Sequence, residues 1–475
     1  MSIRLCFVLG LVLIGFAMLA VGQNPPAQNT GEGSSATRSV PAAPLSGMVG
    51  VDTQSGGESS EDLPRIPALL GGRGGSLAFV SEMERSNYLS GGINVGAGYD
   101  DNAFLVPSAQ VGTTTFSVFP NIAIEQSTSR MLWSLGYLGG LTMNERLSNR
   151  NQGSHDLSFD SDFRLSPHVN LHAAENFFLT AGLFGTNTAS VFQPGPGGSN
   201  GTLITPLANQ MSSQTVVEAN YHFARKDVVG ASGSFYALHY SDVSTGAGTL
   251  ENTQTASGTA FWLHELFRRD WGGFGYVFQQ ITFDPNGETR VHTFAAMDTL
   301  SLSKAFSVSA FIGPQYSENQ GLKATDPSAG HLTFNDWSLA GGVEANWQKE
   351  RTSVAAGYSR RVSDGGGLLG VVSVQNVHAA IRREFLPGWA ATVGAVYGNN
   401  QAITLIAVDK ITAIKATSVG ASLERNIGRS LGFRMDYFHD LQNQTYASNS
   451  TQAFDANRNR YSVTLSYQWA KALGR

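Results

Sequence analysis

The stretch Tyr461-Ser-Val-Thr-Leu-Ser-Tyr-Gln-Trp469, close to the end of the chain, decides the fold. Tyr461, Val463, Leu465, Tyr467 and Trp469 fall on one face, and Ser462, Thr464, Ser466 and Gln468 on the other. Period two is the strand period, because successive side chains point to opposite faces of a pleated chain. The same alternation recurs upstream. Leu157, Phe159, Phe163 and Leu165 oppose Asp156, Ser158, Asp160, Asp162 and Arg164, while Leu431, Phe433, Met435 and Tyr437 oppose Arg434 and Asp436. This texture holds from Tyr88 to Trp469.

Two kinds of punctuation separate the alternating segments. Short polar turns occur near Arg130, near Pro167, at Arg225 to Asp227, at Arg268 to Asp270, at Lys304, at Lys349 to Arg351, after Arg382 and after Glu424. Longer Gly/Asn/Ser/Thr loops lie between them, the longest from Gly182 to Gln214. Tight turns at one end and long loops at the other are the pattern of an outer-membrane barrel. The expected fold is all-β: a transmembrane antiparallel up-and-down β-barrel of about 18 strands, with about 16 as the alternative. An even count puts both termini at the periplasmic, tight-turn end.

A soluble sandwich also alternates, so the faces must discriminate. Trp337 and Trp347 share a face with Leu339, Val343 and Ala345. Ten strand residues tilted about 45° rise roughly 23 Å, close to the roughly 25 Å apolar band between aromatic girdles. The opposite face carries Asp336, Ser338, Glu344 and Asn346, which suits water and would be costly in a sandwich core. Asp156, Asp160, Asp162, Arg164, Asp336, Glu344, Arg434 and Asp436 are therefore candidates for pore lining. Trp337, Trp347, Tyr461, Tyr467 and Trp469 are candidates for the aromatic girdle. The pattern fails in two places. Lys415 shares the apolar face of its segment, requiring a bulge or a snorkelling side chain, and Thr255 to Phe267 shows no clear face.

Composition agrees with the strand reading. Of 475 residues, 54 are glycine, 14% are charged and mean hydropathy is -0.10. A polytopic helical protein needs repeated runs of about 20 apolar residues, and only the N-terminus supplies one. Arg4, the apolar run Leu5 to Ala20 and the small residues Ala20 and Gly22 predict a secretory signal peptide over residues 1–22. Residues 23–87 form a Pro/Gly/Ser-rich leader read as disordered, and residues 88–475 the barrel. Leu63 to Leu70 is the leader's one apolar patch, read as a tethered linker with a docking segment or plug as the alternative. The single cysteine, Cys6, leaves with the signal peptide, and a net charge of -5 gives no basic signature for nucleic acid.

No phosphate-binding loop, dinucleotide fingerprint or nucleophile elbow is present, and the ten histidines are scattered without metal-ligand spacing. No catalytic residue, cofactor or metal is expected. Asp100-Asp101-Asn102 is read as an Asx-rich turn, with a loop Ca²⁺ site as the alternative.

The segment Gly91 to Pro107, GGINVGAGYDDNAFLVP, resembles the opening of the β-barrel porin type 2 group of outer-membrane proteins, in which an aromatic followed by Asp-Asp-Asn closes the first strand. Here these are Tyr99-Asp100-Asp101-Asn102. The strand ending at Trp469 is similar to the C-terminal signal read by the barrel-assembly machinery, departing from it by the extra residues Ala470 to Arg475. The resemblance implies an outer-membrane porin of a Gram-negative-type bacterium, with an association to exopolysaccharide export. The expected function is a channel without an energy source, passing small polar solutes or exporting a polymer such as exopolysaccharide. The alternative is a non-conducting anchor whose long loops bind an external partner. Expected partners are outer-membrane lipid, the assembly machinery and the solute or polysaccharide.

Overall fold

The computed structural model describes residues 87–147, 151–180, 209–241, 244–245, 248–267, 269–284, 287–303, 305–320, 333–366, 369–403, 411–428, 430–446 and 454–473. The expected signal peptide and leader, with Leu63 to Leu70, lie outside them. The strands are β1 (Tyr88–Asp100), β2 (Thr113–Ser127), β3 (Met131–Asn144), β4 (Gln152–Ser166), β5 (Val169–Thr180), β6 (Gln210–Ala224), β7 (Asp227–Tyr240), the two-residue β8 (Ser244–Thr245) and β9 (Gly248–Thr249), and β10 (Asn252–Phe267). They continue with β11 (Asp270–Asp284), β12 (Gly287–Ser303), β13 (Phe306–Gln320), β14 (Thr333–Lys349), β15 (Thr352–Gly365), β16 (Leu369–Leu386), β17 (Trp389–Ala402), β18 (Ile411–Ile427), β19 (Leu431–Tyr446) and β20 (Phe454–Ala472).

Apart from the small β8–β9 hairpin, the strands form one 18-stranded antiparallel sheet. β1 pairs with both β2 and β20, so the sheet closes on itself and has no free edge at its ends. All eight short turns read from the sequence fall between strands at one end, the end that also holds Tyr88 and Ala472. Several carry a bulge just before the turn, as between Arg164 and Ser166, His222 and Ala224, and Glu384 and Leu386. Gly388 and Gly428 take the positive φ such tight connections require, at 75° and 68°.

Strand bounds differ from the sequence reading in two places. The long loop ends at Gln210, not Gln214, because polar Gln210, Ser212 and Gln214 alternate on the inner face of β6 and mimic loop composition. The last strand runs from Phe454 to Ala472 rather than from Tyr461 to Trp469, and Lys471 and Ala472 pair with Leu89 and Tyr88.

Outward positions build a continuous apolar belt. Ile93, Val95, Phe116, Ile122, Leu141, Ile312, Leu339, Val377, Val393, Met435, Val463 and Leu465 are all exposed on the barrel exterior. An apolar surface of this extent needs lipid in place of water. Proline and glycine mark where the wall yields. The β12–β13 ladder skips from Thr293↔Gln315 to Ala296↔Ile312, across Pro314, which has no N–H to give, and Gly313, where a Cβ would run into the Phe294 carbonyl.

The closing seam explains the Tyr-Asp-Asp-Asn motif. Asp101 accepts from the backbone N–H and side-chain amide of Asn459 at 2.7 and 2.6 Å. Buried Asn102 donates to the carbonyls of Val106 and Asn457 at 2.7 and 2.9 Å and accepts from the Val106 N–H at 3.0 Å. The Asn102 N–H closes an Asx turn onto Asp100 at 2.9 Å. The motif thus clasps the exit of the first strand to the last strand. Asn102→Ala should lower unfolding stability by about 2–4 kcal/mol, since buried groups lose their partners at roughly 1–3 kcal/mol each. The midpoint of heat-modifiable gel migration reads this directly.

A divided lumen as the candidate functional site

Because register partners share a face, the inner wall can be read strand by strand. It has two unlike halves. On β7 and β10 to β14, the inward residues Tyr236, Leu238, Tyr240, Phe261, Leu263, Val277, Met297 and Phe311 are apolar and buried. These side chains, interspersed with inward polar residues such as Thr293, Gln315 and Asn319, add apolar surface to a lumen expected to be polar. They also explain why Thr255 to Phe267 showed no face. Phe261 and Leu263 point inward while Trp262 points out, so both faces of β10 are apolar.

Toward the loop end of this half, a hairpin folds into the barrel. β14 pairs with β15 only from Gly341↔Arg360 to Lys349↔Thr352, whereas β15 and β16 stay paired up to Gly365↔Leu369. Beyond Arg360, β15 therefore parts from β14, while β16 stays in register with β17 as far as Val372↔Ala402. Val362 and Val371 pack on the inward Ile281 and Val291, and Leu369, Val372 and Val374 pack on Ile414. Polar ties hold the hairpin. The Val362 N–H donates to Gln315 Oε1 at 3.2 Å, Thr253 Oγ1 donates to Asp364 Oδ2 at 3.3 Å, and the Tyr240 hydroxyl donates to the Gly366 carbonyl at 2.9 Å. Tyr240, Asp364 and Gly366 carried no signal in the sequence, because the fold-back depends on partners more than 100 residues away.

The other half of the wall is charged. On β16, β18, β19, β20 and β1 it is an ion-pair network. Arg382 meets Glu424 at 2.5 Å, Arg434 meets Glu424 at 3.4 Å and Asp436 at 2.8 Å, and Asp440 holds both Arg458 and Arg460 at 3.0 Å. Arg434 and Asp436 were among the sequence candidates. Arg382 and Glu424 had been read as turn residues, yet they sit inside strands facing inward. Arg458 lies in β20 ahead of Tyr461, where the strand was read to begin, which hid it.

On β2 to β6 the inner wall is acidic. Asp156, Asp160, Asp162 and Arg164 all face inward on β4, with Glu125 on β2 and Glu218 on β6. His172 on β5 stands in register between Asp162 and Glu218, with Nδ1 3.1 Å from Asp162 and Nε2 3.6 Å from Asp160. Ligand atoms of Asp160, Asp162 and His172 lie within 4.8 Å of one another, a spacing a cation can share. Asp336 and Glu344 face inward on β14, well apart from this group, and Glu344 accepts from the Asn346 amide at 3.3 Å.

The five aromatic candidates all lie on the outer face. Trp337, Tyr461, Tyr467 and Trp469 are exposed, and Trp347 is half-buried. Tyr461 packs at a tilt against Tyr437 at 4.9 Å and Trp337 against Tyr316 at 5.0 Å. Trp469 lies over Gly91 of the first strand, where an added Cβ would sit 2.7 Å from the indole. Lys415 does face outward, in register with Asn399 and Asn443 toward the loop end.

A closed wall, an apolar exterior and a charged inner strip define a porin-like outer-membrane β-barrel. Solved structures of similar fold come from Pseudomonas aeruginosa, among them the outer membrane protein OpdK. The OpdK structure with vanillate is 10% identical, covering 81% of this chain and 99% of that one at a TM-score of 0.40. OpdF with glucuronate is also 10% identical, covering 82% and 98%, with a TM-score of 0.40. OprD is 12% identical, covering 84% and 100% at 0.39. No family model and no curated protein matches the chain.

Proposed function

We propose that the chain is a passive outer-membrane channel for small polar solutes, with the tight-turn end in the periplasm. The observation that carries this is the charged strip from β16 through β20 and β1 to β6, set opposite an apolar half occupied by the inward hairpin. Solutes then travel along the charged strip, where Asp156, Asp160, Asp162, Arg164, Arg434 and Asp436 line the path, and Asp336 and Glu344 face it from β14. The outward tryptophans and tyrosines, Trp337, Trp347, Tyr461, Tyr467 and Trp469, anchor the belt at its interfaces.

The arginines of β16, β19 and β20 are offset by Glu424, Asp436 and Asp440. The β2 to β6 wall has an acidic excess of Glu125, Asp156, Asp160, Asp162 and Glu218 over Arg164 and His172. Charged linings set ion preference, so the expected channel favours cations. Planar-bilayer recording of the leader-deleted barrel should give stepwise conductance and cation-selective reversal potentials. Replacing Asp156, Asp160 and Asp162 together by Asn should shift the reversal potential toward zero. An anion-selective wild type would overturn the assignment of the path. A folded barrel with no conductance would favour the non-conducting anchor.

A further inference from the structure

The short β4–β5 hairpin sets an imidazole between two carboxylates. Asp160 and Asp162 alternate with outward Ser161, so both face the lumen, and His172 is the register partner of Asp162. The ring presents one nitrogen to each, Nδ1 at 3.1 Å from Asp162 and Nε2 at 3.6 Å from Asp160. The β5 partner of Asp160 is only Ala174, which leaves the space beside that carboxylate to the His172 ring. Among the described residues this is the one group of histidine and acidic side chains in which three donor atoms converge. His264, by comparison, meets a single carboxylate, Asp227, at 2.9 Å. Sequence spacing hides the group, because His172 reaches Asp162 only through the turn at Pro167.

The donor chemistry narrows the ligand. Carboxylates alone attract any cation, and calcium asks for about six to eight oxygens. An imidazole nitrogen suits zinc and its transition-metal neighbours, whereas magnesium and calcium prefer oxygen. The separations suit such an ion as well. Tetrahedral ligand bonds of about 2.0–2.2 Å place neighbouring donors roughly 3.4 Å apart, between the observed 3.1 and 3.6 Å. Glu218 stands in register on the far side of His172 and adds negative charge to the same row.

We propose that Asp160, Asp162 and His172 bind a divalent transition-metal ion of the zinc type on the inner wall. Each aspartate gives one oxygen, the imidazole gives one nitrogen, and water takes the remaining position. His172 lies three positions beyond Val169, about 7 Å above the tight-turn end. The ion therefore sits close to the periplasmic mouth. The assignment rests on the reading of this wall as a wet lumen, but not on conduction. The competing account is an ion-pair triad, in which an imidazolium shared by the two carboxylates fills the same gap and no metal is held.

The test is equilibrium dialysis of the full chain, folded in neutral detergent, against zinc or calcium. The wild type should take up one tightly held zinc ion per chain, and millimolar calcium should not displace it. His172→Ala and Asp160→Asn should each weaken zinc binding at least tenfold, since even an outer partner of a metal ligand is worth about 10–100-fold. His264→Ala should leave binding unchanged. No saturable zinc in the wild type overturns the proposal in favour of the ion-pair triad. Displacement by calcium overturns it in favour of an unselective acidic patch, and both comparisons stand even if the variants fail to fold. Unchanged binding in folded His172→Ala overturns it as well. A barrel that conducts without holding zinc would sink this site and leave the channel reading intact, and one that holds zinc without conducting would do the reverse.

Discussion

Excising residues 361–374 and joining Arg360 to Gln375 through Asn-Gly should raise single-channel conductance several-fold while the barrel stays folded. Arg360 and Gln375 are register partners, so a two-residue turn bridges them without a slip, and Asn-Gly suits the type I′ turn such hairpins use. What is removed is the inward hairpin, together with Val372 to Val374, which pair with Ala402 to Asn400 of β17. Stacked sheet layers lie about 10 Å apart, so the hairpin takes a corresponding depth from the lumen. The excision also cuts the ties from Gln315, Thr253 and Tyr240 and uncovers Ile281 and Val291. Exposing each buried aliphatic costs roughly 1.5–3 kcal/mol, a loss that an 18-stranded closed wall absorbs. Conductance equal to wild type, in a variant that still migrates heat-modifiably, would show that the narrowest point lies elsewhere. Tyr240→Phe removes only one tie to Gly366 and should give a smaller change, seen as more frequent flicker between conductance levels.

The wall of this barrel was legible from the sequence, while its interior was legible only in part. Alternation at Tyr461 to Trp469 and at Leu157 to Leu165 reports the two environments of a strand locally, so strand identity needs no partner. The tight turns are equally local, since Pro167, Arg225 to Asp227 and Gly388 act within a few residues. The inner face is different. At Thr255 to Phe267 the period-two signal vanished because inward Phe261 and Leu263 pack with Val277, Met297 and Phe311 on the side where water was expected. Arg382 and Glu424 are charged residues close to turns, and composition alone assigns such residues to the turn. Only the register places them 2.5 Å apart on the inner wall. Asp440, Arg458 and Arg460 were hidden because the upper halves of β19 and β20 are rich in Asn, Asp and Gln, a loop-like composition on strands that rise above the belt. The Asp-Asp-Asn motif was visible as a motif, but its work depends on Asn457 and Asn459, more than 350 residues away.

The buried charges on β19 and β20 should be the most sensitive single position in the wall. Asp440 accepts from Arg458 Nε and Nη2 at 3.1 and 3.0 Å, from Arg460 at 3.0 Å and from the Ser418 hydroxyl at 2.7 Å. The Asp440 and Arg458 side chains are 1% and 3% exposed. Asp440→Ala leaves two neighbouring guanidiniums without their shared carboxylate. Removing one member of a buried pair costs about 3–5 kcal/mol, because the remaining charge stays desolvated. Asp436 and Glu424 cannot compensate, since they already hold Arg434 and Arg382. The unfolding midpoint of Asp440→Ala should therefore fall further than that of Asn102→Ala. The double variant Asp440→Leu with Arg458→Leu should recover only the part of the loss due to Arg458, because Arg460 still lacks its carboxylate. A double-mutant cycle measures the coupling. Coupling near 0–1 kcal/mol, the value of a hydrated surface pair, would mean that water enters this part of the wall and that the network contributes to ion preference rather than to stability.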